Sequence, residues 1–213
     1  MINQATLQVF QLLVLLFSAI IHEVSHGFSA KLQGDDTAER AGRLTLNPLP
    51  HLDPFGSIIL PLILALPALF GAPVFIIGWA KPVPFNPNNL RNKKWGPALV
   101  AAAGPAVNVL LAIIFGLFIR LIDFSFLPAF GIFLAIVVLI NLLLAVFNLM
   151  PIPPLDGSKL LFSFFPYSWR DVEVWLERYG FIILLAFIFF GFNLILPVIF
   201  FLFRLITGQQ FGL

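Results

Sequence analysis

The chain has 213 residues, of which 60% are hydrophobic and 10% charged, with a formal net charge of +2. So little polar surface cannot coat a water-soluble globule of this size, and the chain is expected in a lipid bilayer. The absence of cysteine excludes disulfides and thiolate metal sites, so a bound metal needs His, Asp or Glu; the basic residues are dispersed over short loops, which gives no support to nucleic-acid binding.

The first element, segment A, runs from about Ala5 to Ala30 and is long enough to cross a hydrocarbon core of about 30 Å. A secretory signal is the competing reading, but no Lys or Arg precedes Lys31, and the segment is expected to be retained. It carries His22-Glu23-Val24-Ser25-His26, the pattern HExxH. Residues four apart share a helix face, so both imidazoles can reach one metal ion while Glu23 addresses a water held beside it. The alternative is a set of ordinary polar residues near a helix end. Ionisable groups in a membrane helix are costly, however, and are functional by default.

Segment B, Phe55 to Ile77, has spanning length but contains Pro61, Pro67, Gly71 and Pro73, and runs into a proline-rich stretch ending at Pro87. It is predicted to be a broken or re-entrant element over 55–87, shielded by protein or lining a wet cavity, rather than a straight helix. The run Trp79 to Pro87 reads either as a rigid connector or as an extended edge along which an unwound substrate lies.

Segments C (Pro97 to Ile119), D (Leu127 to Leu149) and E (Phe181 to Phe203) carry no charged residue, and each is predicted to span. With A, C, D and E each crossing once, ten of the twelve basic residues fall on one side. By the positive-inside rule that side is the cytoplasm. Arg91, Lys93 and Lys94 are placed to meet anionic headgroups there. The expected architecture is therefore all-α: a polytopic integral membrane protein forming one membrane-embedded domain over 1–213, with about four full transmembrane helices plus the re-entrant or fifth element.

Two histidines leave a catalytic zinc site one protein ligand short. The candidate third ligand is Asp156, directly after segment D, because A and D run in the same direction and bring His26 and Asp156 to one side. The alternative for Asp156 is the N-cap of a short helix starting near Gly157. Asn148 is a candidate oxyanion donor, with an interhelical hydrogen bond as its alternative, a reading that also suits Asn108 and Asn141. His51, in His51-Leu-Asp53-Pro54, supports either the site or its own loop.

These motifs resemble the site-2 protease family of intramembrane zinc metalloproteases. The family pairs an HExxH in one membrane helix with Asn-x-x-Pro-x-x-x-x-Asp-Gly at the end of another, matched here by Asn148, Pro151, Asp156 and Gly157. Gly104-Pro105-Ala106-Val107-Asn108 is similar to the Gly-Pro-x-x-Asn element of the helix between them. The resemblance covers about Ala5 to Lys159 and is closest to short prokaryotic members without a PDZ domain. It implies one zinc ion held by His22, His26 and Asp156, with Glu23 as general base and Asn148, Asn108 and His51 as candidate support for substrate or oxyanion. It also implies cleavage of single-pass membrane proteins in the cell membrane, at a site toward the cytoplasmic face. The rival readings are a metal carrier and an inactive scaffold that binds membrane helices.

Overall fold

The computed structural model describes residues 3–59, 63, 81–124 and 126–209. Most of segment B, and Trp79 and Ala80 of the run that follows it, lie outside the described residues. Within them the elements are helical, in the order α1 (Gln4–Leu32), α2 (Thr37–Arg40), α3 (Gly96–Leu121), α4 (Pro128–Asn148), α5 (Asp156–Ser163), α6 (Arg170–Ala186) and α7 (Leu196–Thr207). Four helical stretches are long and apolar enough to cross a membrane: α1, α3, α4 and the stretch Arg170–Leu194.

Helix α1 starts where Asn3 Oδ1 accepts from the Ala5 amide at 3.1 Å, satisfying one of the donors a helix start leaves unpaired. Helices α3 and α4 each open with proline in the first turn, where its missing N–H costs nothing. The packing of α1, α3 and α4 against one another forms the centre of the bundle. Small buried residues make that approach close: Ala30 on α1, and Ala98, Ala101, Gly104 and Ala112 on α3. In lipid, where no hydrophobic force drives helices together, such residues allow the van der Waals contact that does.

The two ends of the bundle differ. At one end Gln33 Nε2 reaches the Gly96 carbonyl and the Arg91 amide donates to the Gln33 carbonyl, so the loops after α1 and before α3 are joined. The turn after α4 lies at this end too, with Asp156 within reach of α1. At the far end Arg120 Nη1 donates to the Leu205 carbonyl. There α3, α4 and α7 share an apolar core that includes Ala112, Ile119, Val138, Leu142, Ile199 and Phe203.

Segment E corrects the sequence reading. Instead of one straight helix over Phe181 to Phe203, the chain passes from α6 through a π turn at Phe187–Gly191 and a 3-10 turn at Phe192–Leu194 into α7. Pro197 is the physical reason: it cannot donate to the carbonyl four residues back and its ring clashes there, so the helix restarts with proline in the first turn. The outer face of the break is apolar, with Phe190 88% and Leu194 75% exposed, as befits a lipid-facing surface.

Beyond α1 the Asp35 carboxylate binds the segment after residue 80. It accepts from the Asn86 amide at 2.6 Å, Asn89 Nδ2 at 2.8 Å and Thr37 Oγ1 at 2.5 Å. These groups close it off from solvent although it lies near the surface. Burial pushes the Asp35 carboxyl up, but the hydrogen bonds from Thr37, Asn86 and Asn89 outweigh this and hold it below the usual carboxylate range. A carboxyl depressed in the folded state contributes stability that is complete above its unfolded pKa of about 3.9 and is lost as pH falls through the folded value. Opening of 81–90, read as amide exchange at Asn86, should therefore rise only below about pH 4. Asp35→Asn should speed that exchange at neutral pH by roughly 10–100-fold, since a hydrogen bond to a charged group contributes about 1.5–3 kcal/mol.

Candidate active site

The HExxH turn sits in the last third of α1, with His22 and His26 buried on the face toward α3. Their rings lie edge to face with centroids 4.7 Å apart. His22 Nε2 and His26 Nε2 each lie 3.1 Å from the same oxygen, Asp156 Oδ2. One donor atom from each of His22, Glu23 and His26 falls within 4.8 Å of the others. The outer nitrogens are engaged as well: His22 Nδ1 with Asn108 Oδ1 at 2.6 Å, and His26 Nδ1 with the Val100 carbonyl at 2.7 Å.

Asp156 opens α5, but its side chain turns to the histidines, and Leu155 at the N-cap makes no side-chain cap. That geometry departs from the alternative in which Asp156 merely caps the helix. Gly157 permits it, because a Cβ there would collide with the Leu149 and Met150 carbonyl oxygens, on which the start of α5 rests. Burial pushes the Asp156 carboxyl up, yet the hydrogen bonds from His22 and His26 outweigh it and hold the group well below the usual carboxylate range. Lys159, one turn along α5, stands 3.8 Å from Asp156 Oδ1 and over the Phe85 ring.

A cavity of about 150 Å³ opens over this cluster, lined among others by Glu23, Val83, Phe85, Asn148, Leu155 and Lys159. Against the two rings lies Gly104, where a Cβ would stand 2.5 Å from both Nε2 atoms. Only glycine leaves that space open.

Above Glu23 passes the described part of the run ending at Pro87, residues 81–87. Its backbone is largely committed. The Lys81 amide donates to the His51 carbonyl at 2.8 Å, and Arg43 Nη2 donates to the Lys81 and Pro82 carbonyls at 2.6 and 3.2 Å. The Val83 amide donates to Glu23 Oε2 at 2.9 Å. With Pro82 and Pro84 beside it, Val83 is the one residue of the three that can donate. The arrangement is a braced connector held against Glu23 rather than an open edge.

The three supporting candidates separate. Asn148 lines the cavity while its Nδ2 donates to the Leu144 carbonyl at 2.9 Å. Asn108 does not face the cavity: it is fully buried behind His22, which corrects its expected role in holding substrate or oxyanion. His51 is buried in its own loop, with Nε2 on the Thr45 carbonyl at 2.8 Å, and braces the connector through its backbone. Sequence reasoning missed the Val83 amide, the Val100 carbonyl and Lys159. The first two are backbone groups without a residue signature; Lys159, three residues after Asp156 on a helix, was within reach of the helical-neighbour rule.

Comparison with known proteins adds independent findings. The model of Peptidase family M50 matches residues 128–191. A Bacillus subtilis protein named "Putative zinc metalloprotease YwhC" is 38% identical over 189 residues, covering 85% of this chain and 80% of its own. Rip2 of Mycolicibacterium smegmatis, which bears the same description, is 31% identical over 176 residues, 81% of this chain and 64% of its own. MJ0611 of Methanocaldococcus jannaschii, again so described, is 42% identical over 91 residues, 41% of this chain and 44% of its own. No solved structure matches significantly.

Proposed function

The chain belongs to peptidase family M50, the site-2 protease family, and from that membership we propose that it is an intramembrane zinc metalloprotease that hydrolyses peptide bonds of single-pass membrane proteins. The observation that carries the reading is the meeting of His22 Nε2, His26 Nε2 and Asp156 Oδ2, with 3.1 Å from each nitrogen to the oxygen. Donors around a tetrahedral zinc ion, about 2.0–2.1 Å from it, stand about 3.3 Å apart, so the three atoms fit one ion. The donor types fit too, two imidazoles and a carboxylate, with an open side toward the cavity. Gly104 supplies the space.

These three residues would hold one zinc per chain. Zinc so held supplies Lewis acidity toward a carbonyl oxygen and makes a neighbouring water more acidic. Glu23 does the proton work. Its Oε2 is fixed by the Val83 amide, which leaves Oε1 to take the proton of the attacking water and return it to the leaving amine. Asn148, at the cavity wall, steadies charge on the carbonyl oxygen through the Nδ2 hydrogen that its bond to the Leu144 carbonyl leaves over. The buried setting removes competing water and strengthens each of these interactions.

The site end of the bundle carries Lys31, Arg40, Arg43, Lys81, Arg91, Lys93, Lys94 and Lys159, and the far end Arg120 and Arg204. That asymmetry supports a cell-membrane protein with its site toward the cytoplasm. The deciding experiment is metal analysis of purified protein together with cleavage of a panel of membrane-helix substrates in liposomes. One zinc per chain and cleavage of at least one substrate are expected; a wild type that binds no stoichiometric zinc ends the reading. Gly104→Ala places a methyl group between the two imidazoles and should weaken zinc binding roughly 10–100-fold, the range for a disturbed ligand shell, as measured by chelator competition.

A further inference from the structure

An HExxH turn places two imidazoles but does not decide which nitrogen of each carries the proton. Both Nε2 atoms must offer lone pairs for the zinc reading to hold, so each Nδ1 must be the N–H. For His26 the answer is built into the backbone, because Nδ1 faces the Val100 carbonyl, which can only accept. For His22 it is not, because Nδ1 faces the Asn108 side chain. An amide has an oxygen on one arm and NH2 on the other with almost the same shape. Turned the other way, it would donate to Nδ1 and drive the proton onto Nε2.

We propose that Asn141 is a positioning residue of the active site, which sets the direction of the Asn108 amide and through it presents His22 with its Nε2 lone pair free. This rests on the zinc reading above and deepens it. The chain of bonds starts at an acceptor-only group. Asn141 Nδ2 donates to the Val137 carbonyl at 2.9 Å and to Ser18 Oγ at 3.0 Å. Its Oδ1 must then face Asn108, whose Nδ2 donates to it at 2.9 Å. The Ser18 carbonyl, 3.4 Å from the same Nδ2, favours the same direction. Asn108 Oδ1 is thereby turned to His22 Nδ1 at 2.6 Å. Asn108 and Asn141 have no solvent exposure and Ser18 has 5%, so water does not relax the choice. The relay crosses three helices, α4 to α3 to α1, at the centre of the bundle.

The competing role is plain interhelical adhesion. Adhesion affects stability but has no reason to act on a ring proton. The chain has only three histidines, so ring-nitrogen NMR of 15N-histidine protein in micelles can follow His22 directly. In zinc-free wild type Nδ1 should carry a proton bonded to Asn108 Oδ1, beside any proton that Nε2 shares with Asp156. In Asn141→Leu, or in Asn141→Ala should the leucine variant fail to fold, that Nδ1 proton should be held only in part and exchange faster with solvent, and zinc affinity should fall at least about tenfold. Asn141→Asp, neutral when buried and matching the amide in shape, should keep the wild-type proton position and affinity. An unchanged ring proton with zinc affinity within twofold of wild type in the apolar variants would overturn the proposal, as would loss of both in Asn141→Asp. A wild type without zinc would sink the protease reading, while the NMR result would still report on the relay.

Discussion

Glu23→Gln is expected to abolish peptide hydrolysis while one zinc per chain remains bound. The two side chains have the same shape, and the glutamine oxygen still accepts from the Val83 amide, now 2.9 Å from Glu23 Oε2, so the connector stays in place. What disappears is the ability to take a proton. Loss of a general base costs about 10²–10⁴ in rate, and an amide has no substitute for it. The measurement is single-turnover cleavage of a membrane-helix substrate in liposomes, with zinc quantified in the same preparation. Activity within tenfold of wild type would remove Glu23 from the mechanism. Under the rival readings the variant behaves differently: a carrier keeps transporting metal and a scaffold keeps its partner.

Asp156→Ala should have the second-largest effect, and on a different quantity. The carboxylate is the point on which both imidazoles converge; without it two neutral donors remain, fewer than the three protein ligands a catalytic zinc site uses. Zinc affinity should drop by more than the roughly 10–100-fold that loss of an outer partner costs. Isothermal titration or chelator competition reads this directly. The substitution also leaves Lys159, 3.8 Å from Asp156 Oδ1, without its ion pair, but that pair is half exposed and contributes at most about 1 kcal/mol. Retained zinc affinity in Asp156→Ala would mean that a different group completes the coordination.

How far the sequence could be read depended on whether a feature is written in residue types. Spans A, C and D are legible because so long an apolar run has no other stable home, and their helices fall within a few residues of the expected limits. The segment E run is equally apolar, but hydropathy is blind to the hydrogen-bond ladder, so the break before Pro197 was missed. His22, Glu23, His26 and Asp156 were legible through spacing and direction of crossing, and the structure brings them together. Asn108 was read both as support for substrate or oxyanion and as an interhelical hydrogen-bonding group, and the structure shows the second. One asparagine in an apolar helix shows no preference between facing a cavity and facing a neighbouring helix, and only the position of Asn141, 33 residues away, decides it. Segment B, where prolines and apolar residues pull in opposite directions, lies for the most part outside the described residues.

The connector over Glu23 has a consequence for the durability of the molecule. An extended stretch of a protease's own chain, tethered within hydrogen-bond distance of Glu23, is the first candidate for self-cutting. Here the bonds joining Lys81 to Pro82 and Val83 to Pro84 are tertiary amides, whose nitrogens carry no hydrogen and whose rings fix the backbone. The Pro82–Val83 bond between them turns its N–H to Glu23 and its carbonyl to Arg43, so the chain lies across the reaction chamber as a fixture and not as fuel.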